Sequence, residues 1–366
     1  MLPTDPDERW DDLESLNSFD DDEEEPEFAS GSDLDLEHIR IFTPDTEGDT
    51  DEDLDFEAAN SALPKVDITE LLETLIGGER HVSGVYGFHD LAADDLETIS
   101  SLWSRVDPEL RLAIVTDAIE FATEDYRFDI ERFLLAVSED DDVAVRSRAV
   151  EGLGAVHEPR VAVRLLDMLR DDVSDDVRAQ AAASLGPFVF LAEYDELDAD
   201  LAARLETALY DVAEDDDESW HVRLRAAESV SAFGPNERIG ALIARMWEED
   251  EIGLRPGAVL MIGRGNMREW LPTVRELLED EDPALRYEAV AAVGTMGDLD
   301  SLPELSEIAL HEEDVDIRHQ AIVSIGEIGG PRAARILSRL AEQAPETDQE
   351  LVASALMEAS LEDDLA

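Results

Sequence analysis

From about residue 92 onward, apolar residues fall at i, i+3, i+4 and i+7 in block after block. That spacing lines them along one face of an α-helix. "PRVAVRLLDMLRD" (159–171), "ERIGALIARMWEED" (237–250) and "REWLPTVRELLED" (268–280) show it most cleanly. Between such blocks lies a second kind of helix. "DDVRAQAAASLG" (175–186) returns as "VDIRHQAIVSIG" (315–326), and alignment on the shared arginine gives seven copies, headed by Arg111, Arg146, Arg178, Arg223, Arg255, Arg286 and Arg318. Successive separations are 35, 32, 45, 32, 31 and 32 residues. Self-similarity at such a period is the signature of a solenoid whose units stack on their neighbours.

Each column of the repeat has a physical task. Four residues before the arginine stand Asp107, Asp142, Ser174, Ser219, Glu251, Asp282 and Asp314. All but the glutamate are good N-caps, since a short polar side chain accepts from the free N–H groups of the first turn. Pro108 and Pro283 follow at the first helical position, where proline costs least. Three residues after the arginine come Ile114, Ala149, Ala181, Ala226, Ala258, Ala289 and Ala321, small enough in six copies for a close neighbour. Four further on are Ala118, Leu153, Leu185, Val230, Ile262, Val293 and Ile325, on the same face. Gly154, Gly186, Gly263, Gly294 and Gly326 come next and suit a left-handed residue closing a helix.

The arginine sits in the first turn, where a cation opposes the helix dipole by a few tenths of a kcal/mol. Its recurrence implies a fixed acceptor, the capping carboxylates of its own or an adjacent repeat, arranged as a ladder of charged hydrogen bonds. The functional alternative is a row of anion-binding groups. The repeating unit is thus two antiparallel helices, A then B. The pairs are 92–105 with 108–123, 126–137 with 142–155, 158–170 with 175–191, and 198–213 with 218–233. They continue as 236–248 with 251–262, 267–280 with 283–296, 300–311 with 315–327, and 331–344 with 348–361. The last pair places Glu350, Ala353, Met357 and Glu358 in the Arg, Ala, Leu and Gly columns, as a terminal cap without a further neighbour can.

The pattern D-x-x-V-R-x-x-A-x-x-x-L-G, over roughly residues 92–361, resembles the short HEAT-like repeats named after the phycobilisome (bilin) lyases. That resemblance implies an all-α, right-handed α-solenoid of about eight HEAT-like helix pairs, with a concave surface lined by the B helices that serves as a scaffold for other proteins. Three regions are expected: an acidic, largely disordered tail over 1–63, a capping helix and Gly-rich loop over 64–91, and the solenoid over 92–366.

Charge sets the environment. The chain carries 93 acids against 28 bases, a formal charge of −65, and Lys65 is its single lysine. Acidity along the whole chain with almost no lysine resembles the proteins of salt-in halophiles. At about 1 M salt the Debye length is roughly 3 Å, which screens the self-repulsion. The potential has the wrong sign for nucleic acid and for anionic lipid. The first residues lack the basic and apolar segments of a signal peptide, so the expectation is a cytoplasmic protein whose partner is another protein.

Chemistry is sparsely marked. There is no cysteine, hence no disulfide, thiolate nucleophile or cysteine-based metal site. The seven histidines show no clustered ligand spacing, and neither metal nor other cofactor is expected. A second HEAT-like family, the deoxyhypusine hydroxylases, carries His-Glu pairs early in its B helices. Here the equivalent positions read Arg318-His319-Gln320 and Arg286-Tyr287-Glu288, half a pair each, while His157-Glu158 and His311-Glu312 lie by turns. The expected function is a non-catalytic interaction scaffold or adaptor, the alternative a HEAT-like enzyme or cofactor-handling protein related to bilin lyases. Two places are candidates for a partner. One is the insertion between Arg178 and Arg223, with Phe188, Phe190 and Tyr194, unless the B helix runs on and buries them. The other is the tail motif "WDDLESLNSF", with Trp10, Leu13, Leu16 and Phe19 at three-residue spacing.

Overall fold

The computed structural model describes residues 63–361 except 64, 126 and 250–252. The tail, with Trp10, Leu13, Leu16 and Phe19, and the capping position Glu251 lie outside the described residues.

A first helix, α1 (Ile68–Ile76), starts where Asp67 accepts from the Thr69 and Glu70 amides. The Gly-rich segment after it forms a 3₁₀ helix over Val82–Phe88. Gly84 and Gly87 lie so close to Leu71 that a Cβ on either would meet its methyls at 2.8 and 2.5 Å. Phe88 is buried there against Trp103 and Phe133, so this segment packs on the first two helix pairs.

Eight pairs follow. They are α2 (Ala93–Leu102) with α3 (Pro108–Glu124), and α4 (Glu131–Val137) with α5 (Val143–Leu153). Next come α6 (Pro159–Asp171) with α7 (Asp175–Ser184), which continues as α8 (Gly186–Glu193). The fourth and fifth pairs are α9 (Ala199–Glu214) with α10 (Trp220–Val230), and α11 (Glu237–Glu248) with α12 (Leu254–Arg264). The sixth and seventh are α13 (Leu271–Glu276) with α14 (Pro283–Thr295), and α15 (Leu302–His311) with α16 (Val315–Ile328). The last is α17 (Gly330–Gln343) with α18 (Gln349–Leu361). No strand occurs among the described residues. The B helices α3, α5, α7, α10, α12, α14, α16 and α18 each pack on the next, as stacked repeats must. Three A helices are shorter than expected. That over 92–105 ends in a 3₁₀ turn at Trp103–Arg105, and that over 126–137 is helical only over Glu131–Val137. That over 267–280 is the most broken. It breaks into a 3₁₀ turn at Arg268–Trp270, the short α13, and another 3₁₀ turn at Leu277–Glu279.

The repeat columns explain the core. All seven residues three after the arginine and all seven at the next apolar position are buried. Asp107, Asp142, Asp282 and Asp314 cap their own helices, whereas Ser174 and Ser219 make no such side-chain bond. In the last pair Val352, Ala355 and Ala359 turn inward while Met357 is 66 % exposed. Ala355 lies against Gly326 as Ser324, six residues after its arginine, lies against Gly294. Gln349 rather than Glu350 therefore takes the arginine's column, where this helix follows the 3₁₀ turn at Glu346–Asp348.

The glycine column works differently from the expected helix stop. None of the five takes a positive φ; that backbone falls to Gly78, Gly234, Gly297, Gly329 and Gly330. The column permits close approach instead. A Cβ on Gly263 would meet the Ala292 Cα at 2.9 Å, and one on Gly294 would meet the Ser324 Cβ at 2.6 Å. Serines use that proximity. Ser184, Ser229 and Ser324 donate to the carbonyls of Val150, Ala182 and Val290, each on the preceding B helix, at 2.9, 2.8 and 2.9 Å. A buried hydroxyl is thereby satisfied across every one of those three junctions.

Candidate partner-binding face

The arginines form the ladder, with acceptors one step removed from the expected N-caps. Arg146 holds Asp172 through Nε and Nη2, both at 2.9 Å, and its Nη1 donates to the Asp140 carbonyl. Arg178 holds Glu218 at 2.9 and 2.7 Å, and Arg223 holds Glu249 at 3.1 and 2.7 Å. Arg286 reaches Glu312, and Arg318 reaches Asp348 at 2.9 Å. Arg111 bonds Asp140 at 2.6 Å, whose other oxygen takes the Trp103 indole N–H. In each case the carboxylate belongs to the A–B turn of the following pair. Asp140, Asp172 and Glu312 stand two residues before the N-cap, leaving the cap free for its own helix. In Arg146, Arg178, Arg286 and Arg318 the planar guanidinium also donates to a carbonyl of its own turn. It so joins that turn to the next one, a two-sided task for which a lysine has the wrong shape. Arg111 and Arg223 reach only the next turn and leave a buried Nε without a hydrogen-bond partner among the described residues.

Arg255 is the exception: its Nε donates to the Trp247 carbonyl and its side chain is exposed. Pro256 explains this. Proline is tolerated only in the first turn, so α12 starts late, with Gly253 as N-cap, and the arginine moves from the fourth helical position to the second.

Engaged in this way, the ladder arginines are not a row of anion sites, and the candidate surface is what the B helices leave exposed. Phe188 is fully buried, edge-on to His157 at 6.2 Å, which removes it from the candidate set. Phe190 and Tyr194 are 53 % and 73 % exposed on α8 and just beyond it. The insertion therefore satisfies both sequence readings at once: the B helix runs on, buries one aromatic and presents two. Trp247 and Trp270 are half-buried against each other at 5.6 Å, as expected of packed residues. Trp220 is partly exposed, its ring lying over Gly253.

A groove of about 540 Å³ runs along α14, α16 and α18. Pro283, Ala284, Ile317 and Leu351 give it apolar walls, and Tyr287, Asp314, Asp316, His319 and Gln320 its polar edge. The Tyr287 hydroxyl lies 3.3 Å from Gln320 Oε1. His319 Nε2 lies 3.0 Å from Asp348 Oδ1, so the same buried carboxylate that ends the ladder orients this imidazole. Burial works against the charged form of Asp348, yet hydrogen bonds from Arg318, His319 and Thr347 hold it down to about 2. Nearby on α14, burial and then the charge of Glu228 push Glu288 up to about 7, against the pull of Arg264 and Arg225. Tyr287 and His319 both stand one residue after the repeat arginine. That column is legible in the sequence, but its exposure is not.

A second groove, of about 610 Å³, opens between α6 and α9 where the insertion alters the spacing. Among the described residues no helix is long and apolar enough to cross a membrane.

Residues 97–186 and 248–315 match the family model of HEAT repeats, and these stretches are HEAT repeats. No curated protein matches the chain by sequence. Solved structures resemble the chain at low identity and low TM-score. The complex of CpcE and CpcF of phycocyanin lyase from Nostoc is 19 % identical, over 62 % of this chain and 87 % of that one, with a TM-score of 0.46. The Escherichia coli protein YibA is 18 % identical over 77 % and 97 %, with a TM-score of 0.42. Human deoxyhypusine hydroxylase is 16 % identical over 80 % and 96 %, with a TM-score of 0.32.

Proposed function

We propose that this HEAT-repeat protein is a non-catalytic scaffold or adaptor, and that it holds another protein on its B-helix face in a salt-rich cytoplasm. The observation that carries the reading is the groove along α14, α16 and α18. It combines apolar walls with Tyr287, His319 and Gln320, the mixture of anchor and hydrogen-bonding groups that interface cores use. The exposed rings of Phe190 and Tyr194 extend the same kind of surface toward the middle of the array.

The test is affinity purification of the full chain from its native host in molar KCl, beside a Y287A/Q320A variant and an F190A/Y194A variant. A defined partner retained by the wild type and lost from either variant supports the reading. A partner held equally by all three contradicts it.

One observation favours a second reading. His319, fixed by a buried carboxylate and opening on a groove, has the arrangement of an oriented imidazole that exchanges protons with a ligand. A pigment or metal that co-purifies and is lost in H319A would favour the enzyme or cofactor-handling alternative over the scaffold.

A further inference from the structure

The groove between α6 and α9 lies on the A-helix side, away from the B-helix face that the scaffold reading uses. Leu166 and Leu169 from α6 face Ala203, Ala208 and Val212 from α9, so its floor is apolar. Asp167, Asp211, Asp215 and Glu218 edge it with carboxylates. Arg170 takes Asp167 and Arg178 takes Glu218, whereas Asp211 and Asp215 have no ion pair among the described residues. Arg204, also at the edge, has neither a hydrogen bond nor an ion pair among them. The groove therefore offers apolar contact beside two unpaired acids and one unpaired base.

One segment outside the described residues has the complementary composition. Within residues 1–62 the bases are Arg9 and Arg40. Arg40 stands in "LDLEHIRIF" (34–42), among Leu34, Leu36, Ile39, Ile41 and Phe42, with Asp35 and Glu37 before it. The apolar residues suit the floor, the cation suits Asp211 and Asp215, and the acids suit Arg204. The other apolar run of the tail, over 10–19, carries Asp11, Asp12 and Glu14 among its apolar residues and its base at the outer end.

Reach agrees with composition. Leu63 packs on the core just ahead of α1, which lies against α2 in the first pair. Helix axes about 8–10 Å apart place the α6–α9 groove roughly 20–25 Å along the stack from there. The stretch from Phe42 to Leu63 is 21 residues long. A coil of that length spans about 25 Å, and a linker whose mean length matches the span gives the highest effective concentration.

We propose that residues 34–42 dock in the α6–α9 groove of their own chain. In molar salt the Debye length is about 3 Å, so only charges in contact still act, while the apolar contacts are not screened. The apolar side chains therefore carry the affinity, and Arg40 fixes the placement against Asp211 and Asp215. The long repeat step that opens this junction thereby builds a seat for the tail, which another protein must displace to reach the A-helix side. This inference is independent of the scaffold reading.

The experiment is hydrogen–deuterium exchange of the full chain in molar KCl, read by mass spectrometry and repeated with I39D/I41D and with T207R. The first variant changes only tail residues. The second puts bulk and positive charge into the groove from an exposed position on α9, so neither disturbs the core. In the wild type the amides of 34–42 should exchange at least about tenfold more slowly than in either variant, whatever the protein concentration. Equal exchange in all three proteins overturns the proposal. So does protection of 10–19 in place of 34–42, or protection that fades on dilution, which marks a tail supplied by a second copy.

Discussion

Arg146 and Asp172 meet in two parallel hydrogen bonds, both of 2.9 Å, across the junction between two consecutive helix pairs. Both side chains are about nine-tenths buried. The third guanidinium nitrogen turns back to the carbonyls of Asp140 and Asp141 in the arginine's own turn. One side chain thereby fixes the position of two turns, which is why arginine recurs where the helix dipole disfavours it.

Loss of a rung should cost far more than loss of the irregular copy. Arg318 pairs with Asp348, which is 1 % exposed, so R318A leaves a buried carboxylate short of its main partner. The expected cost is about 3 kcal/mol or more. R255A, at an exposed side chain that donates to the Trp247 carbonyl and lies 6.0 Å from that ring's centroid, should change stability by less than about 1 kcal/mol. Denaturant unfolding in molar KCl checks both.

Two glycines, Gly294 in the column and Gly240 outside it, predict opposite signs. G294A drives a methyl into Ser324 and Glu327, so it should destabilise by about 1–3 kcal/mol. G240A lies inside α11 with nothing within 4 Å of the new methyl, so it should stabilise by about 0.5–1 kcal/mol. Thermal melting of the two variants beside the wild type measures the difference.

The A/B pairing, the buried alanine column and the arginine ladder were all legible in the sequence, because each recurs and recurrence exposes a constraint. The task of the glycines was not. A residue that ends a helix and one that admits a neighbour look alike until the distance from Gly294 to Ser324 is known. Nor could a period reveal the groove at Tyr287 and His319, which depends on how far three B helices splay.

Acid–base behaviour offers two more outcomes of opposite sense. Glu288 is raised to about 7 from an ordinary 4.5, so folding favours its protonated form. Its contribution is full below about 4.5 and is lost as pH rises through about 7. The loss is at most about 3 kcal/mol, less for screening at its partly exposed carboxylate. E288Q should flatten that part of the stability profile. Asp348, held at about 2 by its hydrogen-bond donors despite burial, contributes above its ordinary 3.8 and loses that contribution as pH falls toward 2. D348N should remove this acid-side loss while lowering stability at neutral pH. Urea unfolding across pH 2–8 reads both.

A double-mutant cycle on Arg146 and Asp172, by denaturant unfolding in molar KCl, tests the central claim that the repeat arginines act as rungs between neighbouring pairs. The ladder predicts that R146A and D172A are each strongly destabilising and that the double variant costs little more than either. The coupling should be about 1.5 kcal/mol or larger. Additive single effects, with no coupling, would contradict it.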